Sequence, residues 1–293
     1  MTKADAPFAE DLATDDPRRD EGSGVEQEAE EQSVEKAARL SARLIYEVIR
    51  RDGKEELSRP ISSLVWSGFT AGVLISFSLI GEAVFRAHLP PTNWRPLVDN
   101  LGYTLGFLLV IHGRMQLFTE NTITTVLPLM ARFCRERIRA TIRLWTTVLA
   151  ANVVGAFVAA GFMLWTGAFP DQLQVAMRDI SLHALDMSIV EGFFHAMPAG
   201  VLIAALVWIL PTTPNITLVV VIFTWLIAAG DFAHIIAGSV EMAYLMLGGD
   251  IGVMRGFVGF FLPVLLGNIV GGTMVFTMMA WAQVMNEVNG RRG

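Results

Sequence analysis

The chain has 293 residues, 53% of them hydrophobic and 17% charged, with a mean hydropathy of +0.49 and a formal net charge of −6 at pH 7. Long apolar runs at that content mark a membrane-spanning protein, and with no basic stripe interleaved with aromatics a nucleic-acid partner has no support. A single cysteine, Cys134, excludes an internal disulfide and a thiolate metal site, and no metal or other cofactor is expected.

Residues 1–32 carry eleven Asp or Glu against Lys3, Arg18 and Arg19, with few large apolar side chains. Such a segment cannot offset the entropy of ordering its backbone, so a disordered acidic tail is expected. It lacks the apolar core of a cleavable export signal, and it accounts for most of the net charge. Residues 33–58 follow as a juxtamembrane segment. From Val34 to about Leu57, Val34, Ala37, Ala38, Ala42, Leu44, Ile45 and Ile49 alternate with Glu35, Lys36, Arg39, Arg43, Arg50 and Arg51. That is the pattern of an amphipathic helix, lying either on the membrane surface or against the body of the same protein.

Apolar character begins near Pro60, and no lysine follows Lys54. The membrane domain is placed at 59–283, with a short cytoplasmic tail at 284–293. Six spans are predicted within it, at about 60–86, 98–130, 141–166, 187–210, 217–247 and 256–282. Basic residues cluster before the first span (Lys36, Arg39, Arg43, Arg50, Arg51, Lys54, Arg59) and between the second and third (Arg132, Arg135, Arg137, Arg139, Arg143). The connections at 167–186 and 248–255 hold only Arg178 and Arg255. By the positive-inside rule both termini are cytoplasmic, which agrees with an even number of spans.

Each half then has three spans, so a structural repeat between 60–166 and 187–282 must be inverted across the membrane. The middle span of each half is overlong for a hydrocarbon core roughly 30 Å thick and requires a break. The fold expected is an all-α, six-span bundle with inverted three-helix repeats and two broken helices. Breaks are expected around Leu117, Phe118, Thr119, Glu120 and Asn121, and around Asp231, Phe232, Ala233 and His234. Freed peptide groups would each cost several kcal/mol against lipid, so the breaks belong in a water-filled passage.

In the first break Thr119 is expected to cap a new half-helix, and Thr122, Thr124 and Thr125 to bond along it. Glu120 and Asn121 add more polar groups than a cap requires, which favours lumen lining; Arg114 and Glu120 either pair or point to opposite exits. In the second break His234 opens a half-helix whose amide N–H groups favour a bound anion, and it can present its ring N–H to a small oxyanion or pass a proton to it. The alternative is a histidine that closes a hydrogen-bond network between the halves. Phe118 and Phe232 read equally as apolar collars of a pore and as core fillers, and Ile75 or Phe77 can narrow the same neck.

Glu191 and His195 lie four apart on one face of span four, as a structural polar pair or as part of a vestibule. The spacing does not match a zinc-binding His-Glu-x-x-His motif. Gly68 with Gly72, and Gly267 with Gly271, have the small-residue spacing that lets helix backbones approach closely.

Several runs resemble the formate/nitrite transporter family over about 60–282. They are Ala71-Gly72-Val73-Leu74-Ile75-Ser76, Leu117-Phe118-Thr119-Glu120-Asn121, Phe232 and His234, and Pro263-Val264-Leu265-Leu266-Gly267-Asn268-Ile269-Val270-Gly271-Gly272. The acidic extension and the Glu120-Asn121-Thr122 run are more similar to its YfdC-like branch than to its formate channels. The resemblance implies an aquaporin-like protomer, a homopentamer with one pore per protomer in a bacterial inner membrane, and passage of small monovalent anions such as formate or nitrite, often with protons. It matches Thr119 to the family's threonine in the first broken loop, His234 to its central pore histidine and Glu191 to a glutamate in span four. The chain departs from the family at Ala233 and Gly238, where Glu and Asn are common, at Gly200, where a pore asparagine falls, and near Ala184, where a vestibule lysine falls. Arg114, Arg178 and His183 are the side chains available to restore a positive field. Two rival readings are a conduit for small neutral solutes and a non-transporting membrane scaffold or regulatory protein. An enzyme is disfavoured because the chain offers no metal cluster and no paired nucleophile and base.

Overall fold

The computed structural model describes residues 40–289, all but the ends of this range in helices and their turns. The predicted acidic tail, the first residues of the juxtamembrane helix and the last four residues of the chain lie outside the described range. α1, Ala42–Ser58, is capped by Ser41, whose hydroxyl accepts from the Leu44 N–H at 3.3 Å. On its outer face Arg50 and Arg51 bond Glu47 and hold that carboxyl down to about 2. Its inner face buries Tyr46, Ile49 and Leu57, and Arg143 donates to the Leu57 carbonyl at 2.7 Å. The helix is packed on the body of the protein through this face.

The six crossings follow. The first is α2, Ile61–Leu74, continued by α3, Ser76–His88, with a bend at Ile75. The second is α4, Arg95–His112, then a break, then α5, Phe118–Thr124, and α6, Val126–Ala131. The third is α7, Arg135–Trp165. The connection predicted at 167–186 contains an additional helix, α8, Asp171–Ala184, which starts after Pro170 and is too short and too charged to span. The fourth is α9, Ile189–Ile209, opened by a capping box in which Ser188 and Glu191 bond each other's backbone N–H groups. The fifth is α10, Ile216–Ala229, then a break, then α11, Ile235–Gly248. The sixth runs from Arg255 through α12, Leu262–Ile269, into α13, Met278–Asn289, with widened turns on either side of α12. α2 packs along α7 and α9 packs along α12, which pairs the first span with the third and the fourth with the sixth.

The two breaks repeat one backbone geometry. α4 ends with Gly113 N–H to Leu109 O, Arg114 N–H to Ile111 O and Met115 N–H to Val110 O; α10 ends with Gly230 N–H to Leu226 O, Asp231 N–H to Ala228 O and Phe232 N–H to Ile227 O. Arg114 at φ 50° and Asp231 at φ 56° are the non-glycine residues with positive φ among those described. A left-handed residue at that position turns the chain out of the helix. The second break therefore lies where predicted, but the first lies at 113–117, before the predicted run. Leu117 and not Thr119 occupies the N-cap position of α5, and Leu117 offers no side-chain cap.

The missing cap comes from another span. Asn152, in the middle of α7, accepts from the Phe118 N–H at 3.0 Å and donates to the carbonyls of Gln116 at 2.9 Å and Gly68 at 2.7 Å. Asn268, in α12, repeats this: it accepts from the Ile235 N–H at 2.8 Å and donates to Ala233 O at 2.9 Å and Ala196 O at 2.7 Å. Each asparagine thus ties a break to the first helix of its own half. The approach is close enough that Gly72 lies against the Asn152 backbone and Gly200 against the Asn268 backbone, and a Cβ at either would collide. Gly68 against Ala151, Gly267 against Phe193 and Gly271 against Met197 extend the same two seams.

Asn268→Ala leaves three buried backbone groups without partners, each worth about 1–3 kcal/mol in a dry site and less where water enters. The expected result is a loss of roughly 2–4 kcal/mol, read as a lowered thermal midpoint of the detergent-solubilised protein. An unchanged midpoint would mean that the break holds its shape without the stitch.

Candidate functional site

The mirrored half-helices meet at one side-chain contact. His234 occupies the N-cap of α11, and its Nδ1 accepts from the Ala237 N–H at 3.3 Å. With Nδ1 an acceptor, the proton of the neutral ring is on Nε2, which donates to Thr119 Oγ1 at 2.8 Å. The threonine hydroxyl hydrogen is left to point elsewhere. Both side chains are buried, at 0% exposure for Thr119 and 2% for His234, and the Phe107 ring packs edge-on to the imidazole at 4.9 Å. Thr122, Thr124 and Thr125 bond back to carbonyls three or four residues earlier, as expected. The Ile235 and Ala237 N–H groups, expected to face an anion, are already bonded to Asn268 and to His234 itself.

A cavity opens on each side of this contact. One, about 440 Å³, ends on His234 and Phe232 and is walled by α3, α4, α8 and α11. The other, about 510 Å³, ends on Leu117, Glu120 and Asn121, and α1 forms part of its wall through Asp52, Glu55 and Glu56. Leu117 and His234 are mirror mates, each at an N-cap and each at the floor of its cavity. The two cavities share no lining residue, and Phe107, Leu117 and Thr119 are fully buried between them, so the neck is closed.

The Leu117 cavity carries a polar relay. Gln116 Nε2 donates to Glu56 Oε2 at 2.7 Å, and Asn121 Nδ2 donates to Gln116 Oε1 at 3.3 Å. Glu120 also lines it, with Oε1 buried and unbonded. Arg114 lines the same cavity without pairing to Glu120, so these two neither pair nor point to opposite exits. Burial and the neighbouring Glu55 push the Asp52 carboxyl up, against the pull of Arg114.

Of the charges that line the His234 cavity, sequence reading singled out His183 and Asp231 but not Glu82, Arg86, Arg95 or Glu241. Arg86 bonds Glu82 at 3.3 Å and Asp99 at 3.2 Å, and Arg95 reaches Asp99 at 3.4 Å. His183 faces Asp231 at 3.2 Å. Arg178 pairs with Asp250 at 2.5 Å and does not line this cavity. The Glu82/Arg86 and Arg95/Asp99 spacings, each four apart on a helix, were the available signal.

Other predicted site residues sit elsewhere. Phe118 is a core residue packed on Trp145 at 5.6 Å, because the half-helix starts one residue before Thr119 and turns this ring toward α7. Phe77 faces outward and Ile75 is fully buried at the bend of the first span. Glu191 is exposed and serves the capping box of α9, away from both cavities. Its partner His195 donates to the Asp231 carbonyl at 3.1 Å and accepts the Ala233 N–H through its own carbonyl, bracing the second break. Gly200 lines neither cavity and is a contact of the α9–α12 seam. Among the described residues no three His, Cys, Asp or Glu side chains converge on a metal-sized site.

The formate/nitrite transporter family model matches residues 43–282. The inner membrane protein YfdC of Escherichia coli K12 is 40% identical over 86% of this chain and 81% of its own length. The formate channel FocA of Haemophilus influenzae is 24% identical over 74% of this chain and 84% of its own. Among solved structures, a pentameric formate channel with formate bound superposes with a TM-score of 0.65 at 21% identity, covering 77% of this chain and 98% of that one. An FNT family ion channel reaches 0.70 at 20% identity, covering 83% and 98%. The fold is therefore that of these channels, with the aquaporin-like arrangement of inverted repeats.

Thr119→Val keeps the side-chain shape and removes the acceptor of the His234 N–H. A buried unpaired donor costs about 1–3 kcal/mol, so this variant should melt measurably lower in detergent while Thr119→Ser melts with the wild type. Equal stability of both would show that the ring N–H finds another partner.

Proposed function

Because the chain belongs to the formate/nitrite transporter family, we propose that it is a channel or slow transporter for a small monovalent oxyanion, such as formate, nitrite or a similar monocarboxylate, with a proton accompanying the anion. The observation that carries this reading is the Thr119–His234 contact at a closed neck between two cavities. The Thr119 hydroxyl hydrogen is the donor left for a solute, and the Nε2–H of His234 fixes its direction. A bare anion in that apolar neck would face a penalty of many kcal/mol, which a hydrogen bond reduces and a proton removes.

The same reading makes the protein a homopentamer in a bacterial inner membrane, one passage per protomer. Both termini are cytoplasmic, which puts the Leu117 cavity on the cytoplasmic side and the His234 cavity on the opposite side. What supports this is the basic residues before the first span and around the start of α7, together with the relatives' printed descriptions.

One observation favours a second reading. The His234 cavity carries Glu82, Asp231 and Glu241 and, among the described residues, no cation without a carboxylate partner, which suits a small neutral solute. Formate and nitrite flux into proteoliposomes separates the two. A hydrogen bond to a charged group contributes about 1.5–3 kcal/mol, so Thr119→Val and His234→Ala should each lower anion flux by roughly tenfold or more. Unchanged flux in both variants would remove this contact from the path, and glycerol permeation without anion flux would select the neutral conduit.

A further inference from the structure

Three polar side chains in the His234 cavity are bonded by none of the described residues. Glu241 is 7% exposed and lies on α11 two turns beyond His234, on the same helix face. Among the described residues none hydrogen-bonds to its carboxyl or pairs with it. Tyr103 and Asn100, three apart on α4, are 6% and 8% exposed and line the same cavity, and among the described residues none bonds to their side-chain polar atoms either. Gly238, one turn before Glu241, lies against the Phe260 ring, which takes the space a side chain there would fill and flanks the stretch between Glu241 and the imidazole.

The charged groups facing Glu241 are already committed to one another. From α3 and α4, Arg86 is held by Glu82 and Asp99, and Arg95 by Asp99. From α8 and the break, His183 is held by Asp231, and His234 is bonded at both ring nitrogens. From the sixth span Arg255 bonds the carbonyls of Leu185 at 2.8 Å and Met187 at 3.2 Å. α7 carries no ionisable side chain beyond Arg143. A carboxylate with no donor bonded to it, whose nearest cation Arg86 is already shared by Glu82 and Asp99, is costly to keep ionised against walls such as Ile180, Met187 and Phe260. The neutral acid is the form that fits this surrounding, and its O–H is then a donor facing the cavity, as are the Tyr103 hydroxyl and the Asn100 amide.

We infer that Glu241, as the neutral acid, forms with Tyr103 and Asn100 a donor-lined subsite that receives the oxygens of a small oxyanion before it reaches His234. The inference rests on the anion reading above and names where the anion is first held. Its sign with pH follows: the Glu241 donor is present at low pH and lost as pH rises and the carboxyl ionises, which turns the subsite from attractive to repulsive.

The test is formate binding by titration calorimetry to the full-length, detergent-solubilised protein from pH 5 to 8, alongside formate flux in proteoliposomes. Wild-type affinity is expected to fall about tenfold or more across that range. Glu241→Gln replaces the acid O–H by an amide N–H, so it should hold wild-type low-pH affinity within about threefold and lose the pH dependence. Glu241→Ala should bind about tenfold more weakly at low pH, and Tyr103→Phe, which preserves the packing, should weaken binding about threefold. A Gln variant as weak as the Ala variant, wild-type affinity that rises with pH, or an Ala variant that binds as the wild type does would each overturn the subsite. Binding with this pattern but no flux would support the subsite and sink the transport reading, whereas flux with no dependence on residue 241 would do the reverse.

Discussion

A chain that breaks two helices inside a membrane must find partners for the peptide groups it frees, and here that requirement is met by two asparagine side chains. Asn152 and Asn268 each supply one acceptor and two donors, the complement of one N–H and two carbonyls. An amide is the only uncharged side-chain group that can do both from one planar end. Because one of the two carbonyls belongs to the neighbouring first helix of the repeat, the bond also fixes the spacing of that helix. The spacing is short, which is why Gly72 and Gly200 stand where the backbones touch. Stitch, seam and break are therefore one device used twice.

The device is symmetric and the chemistry placed on it is not. Leu117 and His234 share a backbone conformation, φ −102° with ψ near 125°, at the floors of opposite cavities. One presents an isobutyl group and the other an imidazole. Arg114 and Asp231, also mates, place opposite charges at the two turns. Among the described residues one polar side-chain hydrogen bond then crosses between the half-helices, from His234 Nε2 to Thr119 Oγ1. The contact region built this way is apolar on the Leu117 side and hydrogen-bonding on the other.

The spans, their parity and the inverted repeat were legible because they rest on length and hydropathy, which the bilayer enforces strongly. The second break was legible for the same reason: Gly230 and Asp231 interrupt an otherwise apolar run. The first was displaced because polar density drew attention to Thr119, Glu120 and Asn121. Those side chains lie on the half-helix, and the break itself is made by Gly113 and Arg114, which repeat the Gly-Asp pair of the second half as a glycine followed by a left-handed residue. Ser188 and Glu191 form a helix-start signature that competes with any reading of Glu191 as a pore residue, and the cap takes it. Asn152 escaped notice because a lone amide in an apolar helix has no local pattern; its meaning appears only when the same residue is found in the matching helix of the other half.

The electrostatics of the His234 cavity bear on what kind of selectivity such a passage can have. A free lysine or arginine at its mouth would concentrate anions by long-range attraction, but would also hold them, and conduction needs release as much as capture. Here each guanidinium on that wall is already matched to a carboxylate, Asp99 taking two of them, so the long-range field is small. What is left facing the cavity is a set of short-range groups whose strength depends on direct contact: a hydroxyl, an amide and a carboxyl. Short-range groups discriminate by the geometry of donors and acceptors, and a carboxyl among them ties that discrimination to its own proton. On the reading proposed above, such an arrangement exchanges capture rate for a dependence on protonation.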